Sequence, residues 1–281
     1  MRPRHRDAPF WRICAAMAML VVNQKHVRWQ RGSVVERTAQ RGKASEYDQT
    51  GGIANFGWVA PGRVARGEQP HDRLGGYAYL RDVGVTCLLC LREARERRNV
   101  VAGRPFHAFR VEDEAEQCMA HGLQLVHVPF EDRTIPPAEG LLQALEALEA
   151  QLALGETVYI HCMAGIGRTG LVAALWRLAQ GDAGDDAADE FVRYWLEFGE
   201  REEAILGPLP DTILERYGFR LQWWALLRLA DMAGAPVLRQ HGGALQQAPE
   251  DAEQWLAEAR RTVGPWVKAR RAGKEGGAGE R

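Results

Sequence analysis

The sequence predicts an α/β fold in which helices cover both faces of a central, mostly parallel sheet. Residues 85–91 and 157–160 are almost wholly apolar, β-branched or aromatic, as strands buried on both faces are. Leu- and Ala-rich segments with helical spacing alternate with such strands. Hydrophobic residues make up 46% of the 281 residues, which is enough for a proper core. In an open sheet of this kind, ligands bind beyond the carboxyl ends of the strands.

The elements follow one another in a regular order along the chain. The helix over 137–154 is the clearest, because apolar residues at 141, 142, 145, 148 and 152 lie on one helical face. Before it, the pattern predicts a helix over 71–83, a strand over 85–91, a helix over 112–121 and a strand over 124–128. After it, the pattern predicts a strand over 157–160 and helices over 171–180, 186–197 and 211–233.

Composition divides the chain into three regions. Residues 1–52 are rich in Lys and Arg, and we expect a flexible basic extension. The apolar run over 13–22 is too short to span a bilayer. Three interpretations of this region remain: a leader, a secretory signal and a mis-assigned start. Residues 53–234 form the expected domain. Residues 235–281 form a C-terminal extension, and we expect its charged, Gly-rich end from 272 to be disordered.

The most informative segment is the loop between the strand over 157–160 and the helix that follows. It contains His161-Cys162, then Arg168-Thr169, with glycines between and after them. A loop that runs from a strand into a helix N-terminus gathers backbone N–H groups and binds anions. A thiol placed there beside a fixed cation ionises readily, because both stabilise the thiolate. Cys162 is therefore the predicted nucleophile.

The other loop residues have predicted roles around a bound phosphate. Arg168 can hold two phosphate oxygens with its planar guanidinium. Thr169 offers a hydroxyl to the sulfur of Cys162 when that sulfur leaves as a thiolate. His161 braces the loop by side-chain hydrogen bonding rather than acting as the base. The backbone of the intervening residues is predicted to bind the phosphate as an anion nest: Met163, Ala164, Gly165, Ile166 and Gly167.

The pattern His-Cys-(five residues)-Arg-Thr-Gly resembles the signature loop of the cysteine-dependent protein tyrosine phosphatases. Ala164, Gly165, Gly167 and Gly170 match the version found in the tyrosine and dual-specificity members. Residues 55–67 are similar to the first hairpin of the same group. The resemblance implies that residues 53–234 are a dual-specificity-like phosphatase domain. It also implies a hydrolase that forms a phosphocysteine intermediate, with no cofactor and no metal.

The resemblance also implies a general acid on a separate, upstream loop. Pro129, Phe130, Asp132 and Pro136 fill the family's acid-loop pattern, which selects Asp132 as the acid that protonates the leaving oxygen. Glu131 is the neighbouring alternative. Some relatives orient the hydrolytic water with a glutamine late in the domain, and Gln222 is the candidate here.

The expected substrate is phosphotyrosine in a protein or peptide, with phosphoserine and phosphothreonine admitted by a shallow pocket. Relatives selective for phosphatidylinositol have loop lysines where this chain has Met163 and Ile166. Three alternatives remain: the same mechanism on an inositol phosphate, lipid or nucleotide; an inactive phosphate-binding module; and a sulfur transferase of the rhodanese type, which the Arg168-Thr169-Gly170 ending fits poorly.

The net charge and the number of cysteines limit the possible partners and the cellular compartment. The net charge of −1 argues against a nucleic-acid partner or a stable membrane association. Five cysteines, an odd number, predict a reducing compartment, hence a cytoplasmic protein. The eight histidines show no metal-ligand spacing with the cysteines. Cys87 and Cys90 are either core residues or a resolving cysteine for Cys162, and the oligomeric state is left open.

Overall fold

The computed structural model describes residues 50–96, 109–194, 219–238 and 248–277. The chain separates into two units, residues 1–43 and residues 44–281, and the described residues all belong to the second. The predictions for the basic extension over 1–49 therefore lie outside the described residues, as does the start of the helix predicted over 211–233.

The second unit contains short strands alternating with helices. The strands are β1 Gly57–Ala60, β2 Val64–Gly67, β3 Cys87–Cys90, β4 Arg95–Glu96, β5 Phe109–Arg110, β6 Gln124–His127 and β7 Val158–His161. The helices are α1 Gly76–Asp82, α2 Val111–Ala120, α3 Ala138–Ala153, α4 Gly167–Ala179, α5 Gly184–Val192, α6 Phe219–Met232, α7 Ala252–Ala259 and α8 Val263–Gly277.

Five of the strands form one sheet in the order β1-β2-β7-β3-β6. Only β1 runs antiparallel to its neighbour, and the β2–β7, β7–β3 and β3–β6 pairs are parallel. The strand β7 therefore lies at the centre, with its carboxyl end at the sheet edge where the Cys162 loop begins. This topology confirms the predicted α/β class and the mostly parallel sheet.

Two hydrophobic clusters cover the two faces of the sheet. On one face, α1 and α2 supply Leu80 and Cys118, which pack with Leu88 and Tyr159. On the other face, residues of α3 to α8 pack on the side that carries Ile160. Successive strand residues point to opposite faces, so both faces of β3 and β7 are buried. This explains why these strands lack a polar–apolar alternation.

The structure departs from the predicted elements at several places, and α7 is one helix that the sequence did not predict. The helix predicted over 71–83 is divided at Gly75, whose φ of 78° is left-handed, into a short 3-10 turn and α1. The two-residue pair β4–β5 has no counterpart in the predictions. At the C-terminus, α8 continues through Gly277, so the expectation of a disordered end from 272 is wrong up to that residue. In the described ranges, no helix has the length and apolar content needed to cross a bilayer.

Candidate active site

The Cys162 loop connects the end of β7 to the start of α4 and passes close to β2. Cys162 is buried, with 3% of its surface exposed. Gly165 has a φ of 70°, in the left-handed region that favours glycine. A Cβ at Gly165 would lie 2.1 Å from the carbonyl carbon of Gly67. The glycine is therefore required both by the backbone conformation and by the contact with β2.

Donors outside the loop hold its carbonyl oxygens. Arg66, fully buried on β2, donates from Nη2 to the carbonyls of Gly165 at 2.8 Å and Ile166 at 3.2 Å. Asn55 Nδ2 donates to the carbonyl of Ala164 at 2.7 Å. In a trans peptide, the N–H of the next residue points away from the carbonyl. The N–H groups that follow these carbonyls therefore turn away from the bracing donors, as an anion nest requires.

A further hydrogen bond holds the backbone at the start of the loop, and an ion pair neutralises the charge of Arg66. The amide of Gln69 donates to the carbonyl of Met163 at 3.1 Å. Arg66 Nη1 donates to the carbonyl of Glu190 at 2.7 Å and lies 3.2 Å from its carboxylate. Both side chains of that ion pair are buried. A buried guanidinium with a matched carboxylate fixes its surroundings, because removing either partner leaves an uncompensated charge.

His161 lies behind the loop and contacts a buried carboxylate that the sequence analysis did not identify. Its Nδ1 donates to the carbonyl of Cys162 at 3.2 Å, and its Nε2 lies 3.1 Å from Glu114 Oε1 on α2, an ion-pair contact without the alignment of a hydrogen bond. Burial would raise the pKa of Glu114, but His161, Cys90 and Gln69 outweigh it and lower the pKa to about 2. The predicted bracing residue is therefore itself held in place.

Arg168 is buried at the start of α4 and meets two carboxylates. Its Nη2 lies 3.1 Å from Glu96 Oε1 and 3.0 Å from Asp132 Oδ1, and its Nη1 donates to the carbonyl of Phe130 at 3.0 Å. Burial lowers the pKa of Arg168, but the charges of Cys162, Asp132 and Glu96 raise it by a larger amount, so the pKa lies above its ordinary value. Arg168 is therefore a permanent cation.

Glu96, on the unpredicted β4, is the second carboxylate that the sequence analysis missed. Its Oε2 accepts from Arg92 Nε at 2.9 Å, so it lies between two guanidinium groups. Burial raises the pKa of Glu96, but Arg168 and Arg92 outweigh this and lower it. The side chain fixes the direction of the Arg168 fork. A strand of two residues gives no periodic signal, and nothing in the sequence marks this glutamate.

The loop over 129–137, here called the acid loop, brings Asp132 to Arg168. The Asp132 side chain is 34% exposed, and Arg133 Nε lies 3.7 Å from its Oδ2. Arg133 has a φ of 65°, an uncommon conformation for a residue with a side chain. Glu131 is exposed. Of the two carboxylates considered for the general acid, Asp132 is the one that contacts Arg168.

Thr169 lies in the first turn of α4, fully buried. Within the ranges that the structure describes, its Oγ1 has no hydrogen-bond partner. A buried hydroxyl normally has one, so this group is available to a nearby sulfur. Its predicted role toward Cys162 stays a prediction.

Cys90 lies on the face of β3 that is turned away from Cys162. Cys90 is paired in register with His161, and the ligand atoms of Cys90, Glu114 and His161 lie within 4.8 Å of one another. Successive residues of a strand point to opposite faces, so Cys162 is directed away from this group. Burial and the charge of Glu114 raise the pKa of Cys90 well above its ordinary value. Cys90 is therefore poorly placed to resolve an oxidised Cys162.

The same three side chains are the group in the described residues that could offer ligands to a metal ion. All three are buried. The hydrogen bond from the Cys90 thiol also lowers the pKa of Glu114. The three side chains thus form a buried polar group behind the Cys162 loop.

A family model and a curated relative match part of this chain. Residues 69–182 match the family model described as "Polymorphic toxin system, DSP-PTPase phosphatase". Protein tyrosine phosphatase type IVA 3 of Homo sapiens is 30% identical over 98 residues, which cover 34% of this chain and 53% of the relative. The matched region therefore spans about half the length of this curated relative.

Solved structures are similar over about half of the chain. Tk-PTP in its active form is 27% identical, with a TM-score of 0.39, over 49% of this chain and 82% of that one. The core catalytic domain of the PP-IP phosphatase SIW14 from S. cerevisiae is 20% identical, with a TM-score of 0.39, over 50% of this chain and 76% of that one.

Proposed function

We propose, from the premise that residues 69–182 form a dual-specificity-type domain of the cysteine-dependent protein tyrosine phosphatase superfamily, that this chain hydrolyses phosphate monoesters through a phosphocysteine on Cys162. The observation that carries the proposal is the 3.0 Å contact between Asp132 and Arg168 beside the braced Cys162 loop. A nucleophile, an oxyanion-binding cation and an acid are the groups that this reaction needs.

In the first step, the Cys162 thiolate attacks phosphorus. A sulfur–phosphorus bond forms, the ester oxygen–phosphorus bond breaks, and the leaving oxygen takes a proton from Asp132. The guanidinium of Arg168 and the N–H groups of the loop stabilise the charge on the three equatorial oxygens. Glu96 keeps the guanidinium aligned for this bidentate contact.

In the second step, water attacks the phosphocysteine. The Asp132 carboxylate accepts a proton from this water, the sulfur–phosphorus bond breaks, and Cys162 leaves as a thiolate. The Thr169 hydroxyl stabilises that thiolate. Phosphate then dissociates, and the cycle consumes one water for each ester hydrolysed.

A substrate phosphate would compete with Asp132 for Arg168. Both are anions, and Nη2 of Arg168 already contacts the Asp132 carboxylate. A phosphate dianion that takes over this contact releases the Asp132 carboxyl from the guanidinium. Substrate binding would therefore also free Asp132 from Arg168 for its role as the acid.

The substrate class we propose is phosphotyrosine in a protein, with phosphoserine and phosphothreonine as further substrates. Met163 and Ile166 give the loop no second cation for another phosphate. The human relative is named as a protein tyrosine phosphatase. The four described cysteines form no disulfide with one another, which supports work in a reducing cytoplasm.

A second candidate role follows from the description of the matched family, a phosphatase of polymorphic toxin systems. In that case the phosphatase activity would itself be toxic. Regulated expression in a bacterial host tests this role. Growth arrest by the wild-type chain, and not by Cys162→Ser, would support it, and equal growth would exclude it in that host.

The decisive test of the proposed function is metal-free hydrolysis. We expect the chain to hydrolyse an aryl phosphate in the presence of EDTA, with inhibition by vanadate and complete loss in Cys162→Ser. Phosphotyrosine, phosphoserine and phosphothreonine peptides, an inositol phosphate and vesicles containing a phosphatidylinositol phosphate then compete as substrates. Binding of the phosphopeptides without turnover would show a phosphate-binding module instead, and fastest turnover of an inositol phosphate or lipid would refute the protein substrate.

A further inference from the structure

We propose that the C-terminal helices α6 and α7 position the general acid by holding the far end of the acid loop. The residues concerned, here called the C-terminal clamp, are Gln222, Trp255 and Glu258. This inference rests on the proposed function, because it assigns the clamp a role in protonating the leaving group.

The near end of the acid loop is attached to the sheet and to the nucleophile loop. The amide of Phe130 donates to the carbonyl of Leu91, directly after β3, at 3.1 Å. The carbonyl of Phe130 accepts from Arg168 at 3.0 Å, and the ring is buried. The position of the residue two before Asp132 is therefore fixed.

The far end of the loop is attached to the clamp. Gln222 Nε2, on α6, donates to the carbonyl of Thr134 at 3.1 Å. Trp255 Nε1, on α7, donates to the carbonyl of Pro136 at 2.9 Å. Immediately after the loop, the amide of Glu139 donates to Glu258 Oε1 at 2.9 Å. Three successive contacts thus join this end of the loop to helices far away in the sequence.

The donors of the clamp are themselves held firmly. Gln222 is 1% exposed and Trp255 is 7% exposed. The Trp255 ring packs edge-on against Trp224 of α6, with centroids 5.5 Å apart. Buried, packed side chains have little freedom to follow a moving loop. The contacts of Gln222 and Trp255 therefore act as fixed attachments rather than as surface hydrogen bonds.

Between its two attachments the loop exposes only a short tip that carries Asp132 and Arg133. The left-handed φ of Arg133 is disfavoured for a residue with a side chain and persists only where the surroundings fix the backbone. The attachments at Phe130 and Thr134 supply that constraint. Loosening the far one lets the tip relax and moves the Asp132 carboxyl away from the leaving oxygen.

The clamp lies outside the part of the chain that the family model matches. That match ends at residue 182, whereas Gln222 and Trp255 belong to helices that follow it. The positioning of the acid is therefore assigned to a segment beyond the part of the chain that the family model matches. Gln222, considered from the sequence for orienting water, is a positioning residue in this proposal.

The test removes one donor at a time and compares two leaving groups. Trp255→Phe deletes the indole N–H while keeping an aromatic ring, and Gln222→Met deletes the amide while keeping the length. Trp176→Phe is the matched control, because Trp176 donates its indole N–H to Glu149 at 2.7 Å, away from the acid loop. We measure kcat/KM for phenyl phosphate, which needs the acid, and for 2,4-dinitrophenyl phosphate, which does not.

Each clamp variant should lose about tenfold on phenyl phosphate, the size of one lost hydrogen bond, and less than about twofold on the dinitrophenyl ester. The control should change both esters equally. Equal losses on both esters in the clamp variants, or none, would overturn the proposal.

A second readout separates this inference from the proposed function. Amide hydrogen exchange over residues 130–137 should quicken in Trp255→Phe and Gln222→Met and stay unchanged in Trp176→Phe. If the wild type hydrolyses neither ester, the proposed function fails, and exchange still decides whether the clamp holds the loop. Unchanged exchange in both clamp variants refutes the clamp. Because the two contacts come from different helices, one variant suffices if the other does not fold.

Discussion

Replacing Glu114 by Gln should remove a large, pH-dependent part of the stability of this protein. Glu114 is fully buried beside His161, and its surroundings lower its pKa from an ordinary 4.5 to about 2. At 1.36 kcal/mol for each tenfold change in proton affinity, this difference stabilises the native state by about 3 kcal/mol. That contribution is present in full above pH 4.5, because the native carboxylate holds fewer protons than the unfolded one. It is lost as the pH falls through 4.5 towards 2.

The assay is the free energy of unfolding from denaturant titrations at pH 7, 5, 3.5 and 2.5. The wild type should exceed Glu114→Gln by up to about 3 kcal/mol at pH 7, and the difference should shrink steadily below pH 4.5. Glu112→Gln is the matched control, since Glu112 lies on the same helix with a side chain that is 51% exposed. A difference between wild type and Glu114→Gln that stays constant from pH 7 to pH 2.5 would refute the reasoning.

Three further predictions concern the catalytic groups. Cys162→Ser should abolish turnover and leave phosphate binding measurable by calorimetry; a serine variant that retains more than a few per cent of wild-type turnover would contradict a phosphocysteine. Arg168→Lys should lose about 2.7–4 kcal/mol of transition-state stabilisation, roughly 100- to 1000-fold in rate, because lysine cannot make the bidentate contact; steady-state kinetics at near-normal rates would remove Arg168 from the catalytic set. Asp132→Asn should strongly slow phenyl phosphate and affect an activated ester much less, with a flattened basic limb in the pH–rate profile. Glu131→Gln is the control for Asp132, and a leaving-group dependence in that variant alone would show that the wrong carboxylate was chosen.

The groups that the sequence made visible are those whose chemistry depends on contiguous residues. The Cys162 loop is a single local turn, so its spacing alone predicts an anion site between a strand and a helix. The acid loop is likewise short and bounded by prolines. The alternation of apolar strands and amphipathic helices was enough to predict the class of the sheet, since burial on both faces leaves a clear mark in β3 and β7.

The supporting residues were not visible because tertiary structure brings them to the site. Three separate elements supply these residues, which are Arg66, Glu96 and Glu114. Each contacts a partner at least 40 residues away in the chain. Glu96 also makes one local contact, with Arg92. An isolated charged residue in a sequence is usually a solvated one. The end of α8 was mistaken for disorder for a related reason: its composition is polar and Gly-rich, whereas Val267 near its start is fully buried against the core.

The bracing of the Cys162 loop decides where a minimal catalytic fragment can be cut. A fragment limited to residues 69–182 would contain Cys162, Arg168 and Asp132 and still lack Asn55 and Arg66, which hold the loop carbonyls from the segment before β1 and from β2. It would also lack Glu190, the carboxylate that neutralises Arg66. A fragment that contains every reacting group is therefore still incomplete. We expect the shortest autonomous unit to begin before residue 55 and to end beyond residue 190.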